Sequence, residues 1–458
     1  MNENINKLKI CYIGGGSRGW AWVLMKDLCY EKEISGTVYL YDIDIEAAQA
    51  NETIGNKLMF SNSGIWKFKT ETSMEKALEG SDFIIISILP GSFEDMAIDV
   101  HEPERYGIYQ SVGDTVGPGG LNRALRTIPM YVEIAKAIKK WAPTAWVINY
   151  TNPMSICIRT LYHIFPTIKA FGCCHEVFHI QKLLAKIAIR SGLADRIERK
   201  EIIINVMGIN HFTWIDRASW KNINLFPYYM KFVEEFDETG YCEESEDNWL
   251  NNYFLSGDRV KMDLFRYYNL IAAAGDRHLA EFCPSHWYLK NPEMIKSWQF
   301  NLTPVSWRIQ KEKELRQKSK SFRDGIENMT CEHSDEEGIL QMKALLGLGN
   351  MVTNVNLPNS FQMPNIPSGS VVETNAFFSR DSIQPVISAG LPHSIQNLTI
   401  QHIENQEGII KASLERNFES AFHIFLNDPQ VRTISREDAR RLFTYMTEKT
   451  LPEGYWIR

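Results

Sequence analysis

The sequence predicts an α/β fold that begins with a parallel β-sheet. Two observations support this class. Short apolar runs alternate with helical stretches throughout residues 1–200, and the apolar runs are continuous, as in Phe83-Ile84-Ile85-Ile86. A continuous run is typical of a parallel strand that is covered by helices on both faces.

The regular alternation defines the elements of this first region and ends near residue 200. The predicted strands are Leu8–Ile13, Thr37–Tyr41, Asp82–Ile88, Ala145–Tyr150 and Thr167–Phe171, and the clearest helices are Asp44–Phe60 and Asn122–Lys140. We therefore predict one domain over residues 1–200 and a second, mixed α+β domain over residues 201–458.

Three segments of the second domain have recognisable patterns. Ile202–Val206 is apolar and predicts a strand. Asn354–Pro392 contains five prolines, which favour loops and short strands. Ile403–Asn427 has no proline and carries apolar residues at helical intervals, so one long helix is predicted there.

Composition excludes several classes of partner. The formal net charge of -7, with 23% charged residues, gives no general attraction to nucleic acid or to an anionic membrane. The N-terminus is polar, and no apolar run approaches the ~20 residues that span a bilayer, so a cytoplasmic protein is expected. The eight cysteines show no disulfide spacing, and reduced thiols are predicted.

A glycine-rich loop, Gly14-Gly15-Gly16-Ser17-Arg18-Gly19, follows the first strand and predicts a Rossmann-like dinucleotide-binding domain. The first glycine allows the turn, the second admits the diphosphate, and the third allows close helix packing. An acid after the second strand suits the adenosine ribose and favours NAD over NADP. The residues predicted to bind the cofactor are Gly14, Gly16, Ser17, Arg18, Gly19, Asp42 and Ser87. The alternative is a turn that binds nothing, with Asp42 capping the next helix.

Cys174 and His211 are candidate metal ligands because both follow predicted strand ends, where ligands gather in α/β folds. One thiolate and one imidazole leave coordination positions open for substrate oxygens and water, which suits a catalytic ion. Each residue alone is also compatible with a structural role, as a small buried thiol or a hydrogen-bonded histidine.

Six further motifs are spread over the chain. They are the glycine-rich segment 107–120 with Asp114, Tyr150-Thr151-Asn152-Pro153, Cys174-His175-Glu176-Val177, Gly208-Ile209-Asn210-His211, Asn356-Leu357-Pro358 and Val371-Val372-Glu373. Together they resemble the NAD- and manganese-dependent glycoside hydrolases of family 4, an exception to the usual two-carboxylate glycosidases. The resemblance covers nearly the whole chain.

The resemblance implies a lactate/malate dehydrogenase-like architecture and a self-reversing redox mechanism. NAD takes a hydride from C3 of the sugar, a base takes the acidified C2 proton, the glycosidic oxygen leaves, water adds, and the hydride returns. Manganese(II) or another divalent metal is implied as the Lewis acid. Cys174 and His211 match the family's metal ligands, Asp114 its general acid, and Asn152 a substrate-contacting asparagine. A homodimer or homotetramer is expected, with the second domain carrying the substrate, metal and oligomer contacts.

The base departs from part of the family. Phosphoglucosidase members use a tyrosine where this chain has Asp276. A carboxylate can act as the base if burial raises its pKa towards neutrality, so Asp276 is the candidate, with His278 and Glu281 as local rivals. A salt bridge from Asp276 to Arg277 or Arg266 is the structural alternative.

The motif Cys174-His175-Glu176-Val177 resembles that of the α-galacturonidase subgroup and lacks the phosphosugar pattern. A small oligosaccharide or aryl glycoside ending in galacturonic acid is therefore the expected substrate. Arg277, His278 and His175 could supply a cation for the sugar carboxylate. Glu176 is also expected to touch substrate, although an acid at a helix start is explained equally well by the helix dipole.

Other functions are also compatible with the sequence. Within the family they are an α-glucosidase or an α-glucuronidase. Outside it they are a hydroxyacid dehydrogenase of malate or lactate type, and a non-catalytic NAD-sensing protein. A simple dehydrogenase needs no metal, so it leaves Cys174 and His211 unexplained, and an NAD sensor leaves Asp114 and Asp276 without roles.

Overall fold

The fold is described from a computed structural model over residues 5–242 and 247–457. The strands are β1 (Ile5–Ile13), β2 (Ile34–Tyr41), β3 (Lys67–Thr70), β4 (Phe83–Ile86), β5 (Trp146–Asn149), β6 (Lys169–Gly172), β7 (Ile202–Ile209), β8 (Phe212–Trp220), β9 (Ile223–Asn224), β10 (Ile271–Ala272), β11 (Met351–Pro358), β12 (Val371–Ser379) and β13 (Ser382–Pro385).

The helices alternate with these strands in the first half of the chain and dominate the second half. They are α1 (Trp20–Tyr30), α2 (Ile45–Ser61), α3 (Met74–Leu78), α4 (Phe93–His101), α5 (Gly117–Trp141), α6 (Met154–Ile164), α7 (Glu176–Arg190), α8 (Phe226–Phe236), α9 (Arg259–Tyr268), α10 (Asp276–Phe282), α11 (Ser285–Tyr288), α12 (Pro292–Ser297), α13 (Val305–Asp324), α14 (Gly338–Leu345), α15 (His393–Leu414), α16 (Phe418–Asn427) and α17 (Arg436–Thr450). Among the described helices, none is both long enough and apolar enough to cross a membrane.

The described strands form a large sheet and a small one. The large sheet has the order β13-β12-β11-β6-β5-β4-β1-β2-β3, and the small sheet joins β10, β8 and β7, with β9 on β8. Strands β1 to β6 pair in parallel. Strands β11 to β13 pair antiparallel and extend the same sheet from beyond residue 200. The predicted α/β class is confirmed, and its parallel part lies where the apolar runs are.

Both faces of the parallel strands are covered, which explains their continuous apolar sequences. Ile85 faces a core shared with α1 and α2, whereas Ile84 and Ile86 face a core shared with α5 and α6. All three side chains are buried. Strand β3, with Lys67 and Lys69 exposed at the sheet edge, lacks this signal and was not predicted.

The register of the sheet brings the predicted site segments to one edge. Ile13 of β1 pairs with Ile86 of β4, Ile86 pairs with Asn149 of β5, and Asn149 pairs with Gly172 of β6. The segments that follow these four strands therefore lie side by side at the carboxyl ends. Ligands bind at this edge in open α/β sheets.

The predicted single helix over Ile403–Asn427 is wrong in one respect. The segment is divided between α15 and α16. Arg416 has a left-handed backbone with φ of 51°, and the side chain of Asn417 accepts a hydrogen bond from Ser420 N at 2.9 Å. A left-handed residue followed by a capping asparagine ends one helix and begins the next.

The prediction of reduced thiols is also wrong for one pair. A disulfide joins Cys29 of α1 to Cys331, with Cα atoms 6.6 Å apart and a sequence separation of 302. A partner so distant leaves no local spacing that the sequence could reveal. Cys173 and Cys174 are free.

Candidate active site

The glycine loop has the backbone shape that its sequence requires. Gly14 has φ of 95°, and a Cβ there would lie 2.0 Å from the carbonyl oxygen of Ser87. The N–H groups of Gly14 and Gly15 both donate to Tyr41 O at 2.9 Å. Only glycine fits the first position. The loop leads into the start of α1, where the first helical N–H groups have no intrahelical acceptor and are available to an anion such as a diphosphate.

Asn51 fixes this loop from α2. Its buried side-chain amide donates to Gly15 O at 2.8 Å and to Ser17 O at 2.9 Å, and its carbonyl oxygen accepts from Trp22 Nε1 at 2.8 Å. Asn51 could not be predicted from the sequence, because a single polar residue inside an amphipathic helix carries no signal of its partner.

Asp42, which is predicted to bind the adenosine ribose, supports the loop. Its carboxylate accepts from Gly16 N at 2.8 Å and from Asp44 N at 2.9 Å. The cap of α2 is Asp44, which accepts from Ala47 N at 3.0 Å. The alternative in which Asp42 caps that helix is therefore wrong, because the capping side chain lies two residues later.

The close helix packing predicted at the third glycine does not occur there. A Cβ on Gly19 would meet nothing within 4 Å, whereas a Cβ on Gly16 would lie 2.8 Å from Ala47 Cβ of α2. The close helix packing thus occurs at Gly16. Arg18 forms ion pairs with Asp44 at 3.6 Å and Glu312 at 3.3 Å.

A cavity of about 400 Å³ opens beside the carboxyl edge of the sheet. Every residue predicted for catalysis, metal or substrate lines it: Asp114, Asn152, Cys174, His175, Glu176, His211, Asp276, Arg277 and His278. Trp20, the first residue of α1, also lines it and stacks on Tyr150 with ring centroids 5.1 Å apart. The cavity therefore adjoins the helix start that follows the glycine loop.

Thr115 orients His211. Its hydroxyl oxygen lies 2.6 Å from Asp114 Oδ1 and 2.9 Å from His211 Nδ1. The hydroxyl has one proton, and an ionised carboxylate can only accept, so Thr115 donates to Asp114 and accepts from Nδ1. Burial, reinforced by His278, lowers the pKa of His211 to about 3. The imidazole is therefore neutral at pH 7, and its Nε2 lone pair is available to a metal.

Asp114 is ionised in this environment. Burial opposes its ionisation, yet His211, His278 and Arg123 together hold the pKa of its carboxyl below its usual range. The amide of Asn152 donates to Asp114 Oδ2 at 3.4 Å. A low pKa is the reverse of what a general acid needs, so the acid role stays a prediction.

Within the described residues, one group of three possible metal-binding side chains is compact. The ligand atoms of Asp114, His211 and His278 all lie within 4.8 Å of one another. The rings of His211 and His278 stack with centroids 3.8 Å apart. Cys174 lines the same cavity but is not one of the three.

Glu373 joins the segments that carry the two predicted metal ligands. It accepts from Asn354 Nδ2 at 2.7 Å and from Asn210 Nδ2 at 3.2 Å, and Asn354 also donates to Cys174 O at 3.3 Å. Burial raises the pKa of Glu373 to about 7. Burial also raises the pKa of the Cys174 thiol far above its usual value, and the nearby carboxylates of Glu373 and Glu176 add to this effect. A cation would displace the thiol proton, so a thiol and a neutral imidazole that line the same cavity fit a divalent transition ion.

Asp276 lies at the start of a helix as well as in the cavity. Its buried carboxylate accepts from Val260 N and Lys261 N, both at 3.1 Å, in the first turn of α9. Burial and the neighbouring Asp258 raise its pKa to about 7, which suits a base at neutral pH. No ion pair joins Asp276 to Arg277 or Arg266 in the described chain, and Arg266 pairs with Asp237 instead. The salt-bridge alternative is therefore wrong. The structural contacts of Asp276 are its hydrogen bonds to the first turn of α9.

His278 and His175, which line the cavity, each lie beside a carboxylate. Glu176, at the start of α7, accepts from Gly275 N at 2.7 Å and lies 3.5 Å from His278 Nδ1. His175 Nδ1 lies 3.2 Å from Glu336. Burial disfavours both histidinium ions, yet the carboxylate partners raise the pKa of each ring. Glu176 therefore contacts Gly275 and His278 in addition to lying at the start of its own helix.

Glu281, the other rival base, supports the loop that carries Asp114. Its Oε1 accepts from Val112 N at 2.6 Å and from Gly113 N at 2.9 Å, and the side chain is fully buried. Glu281 does not line the cavity, so the structure gives it a positioning role.

Comparison with known proteins decides the family. Residues 9–189 match the family 4 glycosyl hydrolases, and residues 206–431 match the C-terminal domain of the same family. The chain belongs to this family. It is 57% identical over 445 residues to an α-galacturonidase of Thermoanaerobacter italicus, covering 97% of this chain and 96% of the relative. It is 51% identical to an α-galacturonidase of Bacillus subtilis, covering 97% and 98%.

Solved structures share the fold of the chain. A crystal structure of a Bacillus subtilis protein has a TM-score of 0.92 and 51% identity, covering 96% of this chain and all of that one. A 6-phospho-α-glucosidase from gut microorganisms, in complex with NAD and Mn²⁺, has a TM-score of 0.82 at 19% identity, covering 98% and 99%. A Cryptosporidium parvum malate dehydrogenase has a TM-score of 0.52 at 13% identity, covering 89% and 99%, which confirms the dehydrogenase-like architecture.

Proposed function

We propose that the protein is an α-galacturonidase that uses NAD and manganese(II) or a similar divalent ion. The observation that carries the proposal is the 51–57% identity to four α-galacturonidases over 97–98% of the chain. The 28% identity to an α-galactosidase of Bacillus subtilis is much lower, although it covers 98% of the chain. The comparison therefore favours a galacturonide, which carries a carboxylate at C6, over a galactoside, which carries a hydroxyl group there.

The residues of the chain fit the two cofactors. The loop at Gly14 and Gly16, beside Asp42 and the start of α1, would hold NAD, and Cys174 with His211 would hold the metal. When bound, NAD supplies a hydride acceptor for C3 of the sugar, and the metal supplies a Lewis acid for the adjacent oxygens. Residues 1–200 would then be the cofactor domain and residues 201–458 the substrate domain. The homo-oligomer and the cytoplasmic location stay predictions.

Two carboxylates would move protons at the sugar. Asp276, with its pKa near neutrality, would accept the proton from C2. Asp114, held by Thr115 and Asn152, would deliver a proton to the glycosidic oxygen. A bound sugar excludes water and so strengthens the burial effect that already opposes ionisation of Asp114. Asn152 would orient the sugar while its amide contacts the acid.

A panel of aryl α-glycosides tests this function. The enzyme is assayed with manganese, a reductant and NAD far below the substrate concentration, on the galacturonide, galactoside, glucoside and glucuronide. We expect many turnovers on the galacturonide and no accumulation of NADH. NADH formed in proportion to product would instead indicate a hydroxyacid dehydrogenase, and cleavage of only a different glycoside would assign a different sugar.

A further inference from the structure

Two arginines line the cavity without a carboxylate partner in the described part of the chain. They are Arg277 at the start of α10 and Arg308 near the start of α13. Both guanidinium groups face the ring of Phe254, with Cζ atoms 5.4 Å and 5.8 Å from its centroid. No carboxylate oxygen of the described residues lies within 4.0 Å of either group, although most buried arginines are paired.

Arg277 is only partly satisfied by hydrogen bonds. One terminal nitrogen donates to Ser111 O and Thr303 Oγ1, while its buried Nε has no partner. The side chain is 7% exposed. An unpaired donor at this depth destabilises the free protein and would be satisfied by an acceptor in the cavity.

Arg308 adds two further unfavourable interactions. It is the fourth residue of α13, close to the positive end of the helix dipole, and the first turn of that helix contains no acid. It also acts electrostatically on Arg277. Burial, reinforced by Arg308, lowers the pKa of Arg277 to about 10. A bound anion would relieve both interactions.

The other charged groups of the cavity already have partners. Asp114 accepts from Thr115, Glu176 accepts from Gly275, and Asp276 accepts from the first turn of α9. His278 and His175, two of the three cations expected for the sugar carboxylate, lie beside Glu176 and Glu336. Arg277 and Arg308 are therefore the cations of the cavity that form no ion pair with a described residue, although Asp114 acts favourably on both charges.

We infer that Arg277 and Arg308 bind the C6 carboxylate of the sugar and select a uronic acid over a neutral hexose. This inference rests on the proposed function, and it assigns Arg308, which the sequence analysis did not consider. A planar guanidinium group can bind both oxygens of a carboxylate, and the ring of Phe254 lies beside both groups. In this arrangement the C6 carboxylate binds the arginines, and Asp114 and Asp276 do not have to bind it.

Direct binding tests the inference without relying on cleavage. The holoenzyme with manganese and NADH, which cannot oxidise the sugar, is titrated calorimetrically with galacturonate, its methyl ester and galactose. We expect galacturonate to bind more tightly than the other two ligands. Arg308→Gln should weaken galacturonate binding by about tenfold to hundredfold, the range for one charge-assisted hydrogen bond, and leave galactose binding unchanged. Lys313→Gln, an exposed change on the same helix, is the matched control.

The conservative variant Arg308→Lys keeps the charge and should lose less affinity than Arg308→Gln. Unchanged galacturonate binding in Arg308→Gln would overturn the inference, as would an equal loss for galacturonate, methyl ester and galactose, which indicates a structural role. Failure of the proposed function is separate: wild-type enzyme that binds galacturonate selectively but cleaves no galacturonide would refute the activity and support the carboxylate site.

Discussion

The buried carboxyl group of Glu281 makes the stability of the protein depend on pH in a specific direction. Burial raises its pKa from 4.5 to about 7, against the opposing effect of the two backbone donors of Val112 and Gly113. The folded protein therefore holds this proton more tightly than the unfolded chain does. The resulting stability is fully present below pH 4.5 and is lost as the pH rises through about 7.

The size of the effect follows from the two pKa values. At about 1.4 kcal/mol for each pH unit between 4.5 and about 7, the loss over the whole range is about 3.5 kcal/mol. Glu281→Gln has no proton to release, and its amide oxygen can accept from the same two N–H groups. We expect the variant to be less sensitive to pH and to gain about 2.5 kcal/mol relative to wild type between pH 5 and pH 8, because part of the loss already occurs below pH 5.

Urea unfolding of the metal-free protein, followed by tryptophan fluorescence at several pH values, measures this difference. Glu448→Gln, which changes an exposed glutamate of α17, should follow the wild-type profile. Parallel loss of stability in wild type and Glu281→Gln from pH 5 to pH 8 would refute the assignment of a raised pKa to Glu281.

Three further predictions concern the two cofactors. Thr115→Val removes the acceptor for His211 Nδ1 and should weaken manganese binding, measured by electron paramagnetic resonance, by about tenfold to hundredfold with NAD affinity unchanged; unaltered manganese binding would exclude this orienting role. Cys174→Ser should lower manganese affinity and glycosidase activity together, and a Ser variant with full activity and no metal would contradict the ligand assignment. Gly14→Ala places a Cβ 2.0 Å from Ser87 O and should greatly weaken NAD binding in a fluorescence titration; normal affinity would show that the loop does not hold the cofactor.

Much of the fold could be predicted because parallel strands carry a local signal. Ile84 and Ile85 face opposite cores, so both must be apolar, and the run is visible without knowledge of the fold. The attachment of β11 to the same sheet leaves no such trace, since Asn356 pairs with Gly172 far away in sequence. The end of α15 near Arg416 could not be predicted, because arginine rarely adopts a left-handed backbone and so gives no signal of one.

The site divides in the same way. Residues with distinctive chemistry in recognisable motifs, such as Cys174 and His211, were found from the sequence, and the fold places them around one cavity. The residues that support them were missed because their contacts are distant. Thr115 lies 96 residues from His211, and Glu281 lies 169 residues from Val112. Such partners become visible only when the chain is folded.

The central claim is that the glycosidic bond is broken by an oxidation and elimination that leave NAD unchanged. Cleavage of an aryl α-galacturonide in deuterium oxide, with manganese and a trace of NAD, tests it most directly. The account predicts galacturonate that carries deuterium at C2, because the C2 proton leaves and is replaced from solvent. Released galacturonate with its original hydrogen at C2 would contradict the mechanism.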